Sequence, residues 1–410
     1  MRWLLLFGLW FAYFSFGAII ASIGPLVDVI QADLALSYAA LGSVMGAWQL
    51  VYIGAAIPGG MLLDRLGARF ALCLGIALIA ASAVGRAFAT GYWSLLGAVM
   101  LFGAGGPIIS SGAPKVVTDV FDGSDRGLAM GIYMTGPTLG GVAALTLTHS
   151  VLMPAFDDDW RVVLLLWGAL AALAALSWIV LATVVGSRTK GFVRADDGSA
   201  RPGSLPVIGR IVRLRAVRLV LVMSVGVFLI NHGLSNWLPE LLRNGGMTLT
   251  AAGNWAALPM LVGAVGSLVI PRLATPDRRY RILLLLCLCA AAASFALTVM
   301  HPLVLPVALV LQGLVRASLM TVLILTLVEL PGLDSRYAGT ASGLFFTAAE
   351  VGGVLGPLGL GLLYDVTGGF DAGLYALTAV AAAMALGTVR LAALVRRGHL
   401  PSTGSERSRG

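Results

Sequence analysis

Gly60-Met-Leu-Leu-Asp-Arg-Leu-Gly-Ala-Arg69 is a short charged stretch between two apolar runs of membrane length. Asp64, Arg65 and Arg69 seek water while the residues on either side avoid it, so the stretch reads as a tight, water-facing hairpin between two helices. Gly60 and Gly67 are expected to let those helices approach closely at its ends. A soluble core gives no reason for such a sandwich, whereas a bilayer does.

Composition points the same way. Of 410 residues, 59% are hydrophobic and 11% charged, against about a quarter charged in soluble domains. Apolar runs of about twenty residues begin near Arg2, Ser37, Phe70, Trp93, Arg126 and Arg161, and again near Val217, Thr250, Arg281, Pro302, Tyr337 and Asp371. The fold class is therefore an all-α integral membrane protein with twelve transmembrane helices. Residues 2–27 are too long an apolar stretch for a secretory signal and lack a convincing small-residue cleavage site, so they count as the first span. Gly, Ser, Pro and charge replace apolar residues between the sixth and seventh runs. The expected organisation is 1–186, a basic linker 187–217, 218–395 and a tail 396–410.

A net charge of +8 could suggest nucleic acid, but the placement of the charges argues against that partner. Alternate loops hold Arg2, Arg65, Arg69, Arg126, the Arg188–Arg218 group, Arg272, Arg278, Arg279, Arg281, Arg336 and the tail arginines. The other loops hold Asp33, Asp157, Asp158, Asp159, Asp365 and Asp371, with Arg161 and Arg243 as exceptions. This is the positive-inside bias, and with an even span count it puts both termini in the cytoplasm of a plasma (bacterial inner) membrane. Pro206–Arg218 alternates arginines with aliphatics, which fits either a segment lying along the inner headgroups or a linker that only sets topology.

Catalytic signatures are missing. There is no HExxH, no Cys-x-x-Cys, no phosphate-binding loop and no nucleophile elbow, and the four histidines are scattered singly. Cys73, Cys287 and Cys289 read as apolar packers. Neither an enzyme nor an ATP-driven pump is expected, and no metal or cofactor is called for.

Several stretches resemble a known family. The opening stretch is similar, at every defining position, to the Gly-x-x-x-Asp-Arg-x-Gly-x-Arg loop between helices two and three of the major facilitator superfamily. Gly136-Pro-Thr-Leu-Gly-Gly141 resembles the fifth-helix motif best known in antiporters. It also suits a bent, close-packed helix, with Gly136, Pro137, Gly140 and Gly141 setting the bend and the contact. The run Gly356–Gly368 is similar to a common ending of the eleventh helix. Asn231-His-Gly-Leu-Ser-Asn-Trp-Leu-Pro-Glu-Leu-Leu242 and Ser22-Ile-Gly-Pro-Leu26 look like segments of cyanate-permease-like members. Two features depart from the pattern: Gly266–Arg279, the counterpart of the signature loop, lacks its Asp, and Leu95–Gly106 lacks the early fourth-helix arginine of many proton-coupled drug antiporters.

The resemblance implies two pseudo-symmetric six-helix halves that rock about a midplane site, driven by solute or ion gradients. A faint repeat agrees: Asp119 and Arg126 follow the fourth span as Glu329 and Arg336 follow the tenth. Expected partners are a small solute, membrane lipids and protons, with the chain acting as a monomer. The solute expected is a small organic or inorganic anion. Efflux of amphipathic compounds against protons is the alternative, and a non-transporting sensor on the same fold is a further one. Gly60, Asp64, Arg65, Gly67 and Arg69 would form a cytoplasmic gate, in which Asp64 helps hold the outward-open state.

Charges at membrane depth are the first pathway candidates. Arg316 lies roughly 21 Å into the tenth span and Glu350 about as deep in the eleventh. They are expected either to pair permanently or to form a pair opened by a proton or an anion. Lys115 is a weaker candidate, since an i,i+4 pair with Asp119 and snorkelling would explain it. Arg86 is expected on a lipid or scaffold face near the outer interface. Uncharged candidates are Trp48, Gln49, Tyr52, Tyr133, Asn231, His232, Asn236 and Trp237, which offer ring faces and hydrogen bonds, or simply pack.

Overall fold

The computed structural model describes residues 2–184, 205–330, 333 and 338–398. Most of the expected linker (187–204), Arg336 with its place in the repeat, and the tail from residue 399 lie outside the described residues.

Helix is the only regular architecture among the described residues. Eleven helices are long and apolar enough to cross a bilayer, and one of them, Tyr38–Ala87, runs for 50 residues. Straight, it would span about 75 Å, far more than a hydrocarbon core of about 30 Å. Gly67 breaks it with φ 72° and ψ 161°, a conformation that costs glycine little and other residues much. The stretch is thus two helices, α2 before Gly67 and α3 after it, and the crossings number twelve. The close approach expected at Gly60 and Gly67 does not occur: a Cβ at either would meet nothing within 4 Å. Gly67 serves the backbone turn, not packing.

The other spans are α1 (Arg2–Ala21), α4 (Tyr92–Val120), α5 (Gly123–Leu147), α6 (Trp160–Val184), α7 (Arg215–Asn244), α8 (Leu249–Leu273), α9 (Arg279–Ala296), α10 (Val304–Val328), α11 (Ala338–Thr367) and α12 (Asp371–Gly398). They coincide closely with the apolar runs, the largest shift being the run at Arg126, whose helix begins at Gly123.

Short helix–helix distances come from glycine. A Cβ at Gly140 of α5 would lie 1.9 Å from the Phe14 carbonyl of α1, and one at Gly17 would lie 2.1 Å from the Pro137 carbonyl. The Gly136–Gly141 motif is therefore a contact between two backbones. Among the linker residues, Leu205–Arg213 forms a helix with Ile211 buried and Arg210 and Arg213 exposed, and the chain then turns at Leu214 into α7.

The two exceptions to the charge asymmetry are both neutralised. Arg161 pairs with Asp33 at 2.7 Å and donates to the carbonyls of Ala87 and Ala89. Arg243 donates to both oxygens of Glu240, at 2.5 and 2.8 Å. Of the two faces expected for Arg86, lipid or scaffold, it takes the scaffold: it is 2% exposed, donates to the Ile19 carbonyl at 2.9 Å, and stands over the Phe102 ring. Ile19 lies just before α1 ends, where Ser22, Gly24 and Pro25 interrupt the helix. A carbonyl freed by that interruption takes the buried cation.

Candidate functional site

At one end of the molecule α2 meets α11 and α5 meets α8. At the end remote from Gly67, a Cβ at Gly42 of α2 would lie 2.3 Å from the Pro357 carbonyl of α11. One at Gly361 would lie 2.2 Å from the Tyr38 carbonyl, and one at Gly253 of α8 would lie 2.3 Å from the Leu145 carbonyl of α5. Towards the Gly67 end, Gly54 of α2, Gly131 of α5 and Gly343 of α11 face open space. The close backbone approaches between α2 and α11 and between α5 and α8 lie at the end remote from Gly67.

Polar groups lock the closed end. Asp365 of α11 accepts from the backbone N–H groups of Tyr38 and Ala39, at 3.0 and 2.8 Å. These are orphan donors of the first turn of α2, so a carboxylate from another helix serves as a cap. The Tyr38 ring stacks 3.7 Å from Tyr364, and its hydroxyl donates to Glu240 of α7 at 2.9 Å. Trp237 packs against Tyr38, is fully buried, and donates to the Pro357 carbonyl at 2.8 Å. Expected as a pathway residue, Trp237 is part of the seal.

Beneath the seal lies a cavity of about 70 Å³ lined by residues from α1, α2, α5, α7, α8 and α10, among them Trp48, His232, Asn236, Gln312 and Arg316. Arg316 has no carboxylate oxygen of a described residue within 4.0 Å, so the expected pair with Glu350 is not formed. Its backbone is fixed instead, because Asn231 donates to the Arg316 carbonyl at 2.7 Å. Glycine spacing brings α8 against α10 here, with Gly263 beside the Gly313 carbonyl at 3.0 Å from its would-be Cβ. Asn236 donates to the His232 carbonyl. Gln312, 3% exposed, has a side-chain oxygen with no partner among the described residues. Sequence reading missed Gln312, although an amide in an otherwise apolar stretch of α10 was a signal.

A second set backs the cavity wall. His232 sits among the rings of Trp48 and Phe228, with Gln49 Nε2 at 3.2 Å from its Nδ1. Gln49 Nε2 and Glu350 Oε2 each lie 3.2 Å from where a Cβ on Gly353 would stand, so α2 and α11 face each other across that glycine. Gln49 Oε1 and Glu350 Oε2 are both buried without a partner. Tyr52 shares a hydrogen bond of 2.6 Å with Ser110 of α4, and Tyr133 meets the ring of Tyr13 edge-on, at 5.2 Å. These two stand outside the residues lining the cavity.

Lys115 is also placed elsewhere. It pairs with Asp64 at 3.1 Å, which corrects the expected Asp119 pair. Its role is to tie α4 to the end of α2 beside the Gly67 turn. Across the molecule, Arg279 at the start of α9 pairs with Glu329 at the end of α10, at 2.5 Å. The counterpart loop lost its Asp, but the helix that follows it is still tied to α10. Arg65 is exposed, while the Arg69 carbonyl accepts from Trp178 at 3.0 Å and its guanidinium stacks on Phe70.

Comparison with known proteins agrees with this architecture. The Major Facilitator Superfamily model matches residues 9–357. An uncharacterised transporter of Bacillus subtilis, YycB, is 26% identical over 88% of this chain and 87% of its own. The probable galactarate/D-glucarate transporter GudP of the same organism is 24% identical over 97% and 93%. The cyanate transport protein CynX of Escherichia coli is 25% identical over 70% and 71%. Among solved structures, a bacterial homologue of the human lysosomal transporter Spinster, inward-facing and unoccupied, superposes with a TM-score of 0.76 at 19% identity, over 98% of this chain and 99% of that one.

Proposed function

The chain belongs to the Major Facilitator Superfamily, and from that premise we propose that it carries a small anion across the membrane by alternating access. The observation that carries the anion reading is Arg316: a half-buried guanidinium lines the cavity with no carboxylate among the described residues to neutralise it. A buried cation without a partner is costly, and a bound anion removes that cost. Gln312 adds an unpaired acceptor and His232 and Asn236 add polar edges, so an anion that also donates a hydrogen bond, such as a hydroxylated carboxylate, fits the set. GudP and CynX, relatives named for galactarate/D-glucarate and cyanate, favour the same class.

Orientation follows from charge. The basic end holds Arg2, Arg65, Arg126 and Arg279, so the Gly67 turn and both termini are assigned to the cytoplasm of a bacterial inner membrane. On that assignment the contacts of Tyr38, Glu240, Trp237 and Asp365 lie on the outer side of the cavity. The two halves, residues 1–186 and 218–395, rock about the cavity, with the 187–217 linker between them.

Glu350 is assigned to proton coupling. A proton on its carboxyl would supply the donor that Gln49 Oε1 lacks and would join α11 to α2 beside the cavity. When ionised, Glu350 has beside it the Gln49 amide, already turned to His232. Uptake of candidate anions into proteoliposomes, with and without an imposed pH gradient, tests both assignments. Flux of hydrophobic cations in place of anions would favour drug efflux, and binding without flux would favour a sensor.

A further inference from the structure

The basic end of α7 and α12 carries a feature that transport does not use. A groove of about 370 Å³ between them is lined by Arg215, Arg218 and Arg390 and by Leu219, Val222 and Leu394. All three arginines are exposed, and none has an ion pair or hydrogen bond to a described residue. The nearest acids along the helices are remote: Glu240 follows Arg218 by roughly 33 Å of α7, and Asp371 precedes Arg390 by about 28 Å of α12. The short helix before α7 adds Arg210 and Arg213, also exposed. Val222 is 69% exposed, so the wall looks outward from the bundle.

Three exposed guanidiniums without an anion among the described residues, beside apolar side chains near the ends of two membrane helices, match one ligand in charge and character. We propose that this groove holds an anionic phospholipid of the cytoplasmic leaflet, its phosphate forked by Arg215, Arg218 and Arg390 and an acyl chain along Leu219, Val222 and Leu394. Planar guanidiniums suit phosphate better than ammonium groups do. A lipid held there would staple the start of α7, where the linker enters, to the end of α12.

The test is retention of phosphatidylglycerol by the purified full chain, counted by native mass spectrometry after exchange into mixed phosphatidylcholine and phosphatidylglycerol micelles. R215Q/R218Q/R390Q is expected to lower retention at least about tenfold. R65Q/R272Q/R278Q removes as much charge from the same end but away from the groove, and is expected to leave retention within about twofold. R215K/R218K/R390K, which keeps the charge, separates loss of the lipid from loss of fold by retaining an intermediate amount. Equal losses in the two Gln variants would mean diffuse surface charge and overturn the proposal, as would unchanged retention in the groove variant.

Discussion

Asp365 of α11 caps the first turn of α2 by accepting the backbone N–H groups of Tyr38 and Ala39. Such a cap is normally local, a side chain serving its own helix. Here it comes from 326 residues away in sequence, so the start of α2 is fully capped only while the two helices touch. Removing it weakens this conformation and not the helices themselves.

Asp365→Ala is therefore expected to shift the population towards the state open at the opposite face. Loss of a cap is worth about 1 kcal/mol, or roughly fivefold in the ratio of states. Spin labels at the exposed Trp93 and Val366 positions, on α4 and α11 at the sealed end, would report a longer distance component growing by about that factor. An unchanged distance distribution would remove Asp365 from the gate.

The Asp64–Lys115 pair is half-exposed, with side-chain exposures of 52% and 22%. Its stability contribution is expected to be small, about 1 kcal/mol or less. Its effect should lie in the balance of states. Asp64→Asn and Lys115→Gln are each expected to slow exchange several-fold with little change in melting temperature, and the swap D64K/K115D should restore much of the rate. Failure of the swap would make the Asp64 side chain, and not the pair, the important element.

Close packing between α1 and α5 makes a stability prediction. Gly140→Ala places a methyl 1.9 Å from the Phe14 carbonyl, so the helices must separate. The expected cost is about 1–3 kcal/mol, read as a lower melting temperature in detergent. Gly54→Ala, where a Cβ meets nothing, is the control and should melt as the parent does. Equal melting of both variants would mean that α1 and α5 are not locked as the structure has them.

Glu350→Gln tests the coupling assignment. The amide keeps the size and a donor but cannot release a proton. Uptake by this variant is expected to lose its response to an imposed pH gradient while counterflow of the anion persists. A pH response like that of the parent protein would return Glu350 to a packing role.

Much of this fold was legible before any coordinates. Hydropathy marks the spans because lipid demands long apolar helices, and the charge asymmetry marks their direction. Gly67 was legible as a turn residue, though its reason was misread: space around it is open, and the backbone angle is what requires glycine. The cavity was legible in part, since buried charge and amides stand out in apolar runs, which is how Arg316, His232 and Asn236 were found. The partners were not. Lys115 has an acid one turn away in sequence and yet pairs with Asp64, and Arg86 takes a carbonyl exposed by the interruption of α1. Nor was the seal legible, because Tyr38, Glu240 and Asp365 sit at helix ends where polar residues are ordinary.

The central claim is that the guanidinium of Arg316 receives a small anion in a cavity that opens to one face at a time. Counterflow in proteoliposomes tests it most directly: purified protein, a panel of labelled hydroxy-carboxylates and small inorganic anions, and Arg316→Gln beside the parent protein. The account predicts a transient accumulation of at least one such anion by the parent protein. It also predicts loss of that overshoot by at least tenfold in Arg316→Gln, which should keep its melting temperature within a few degrees. Undiminished anion counterflow by Arg316→Gln would contradict it.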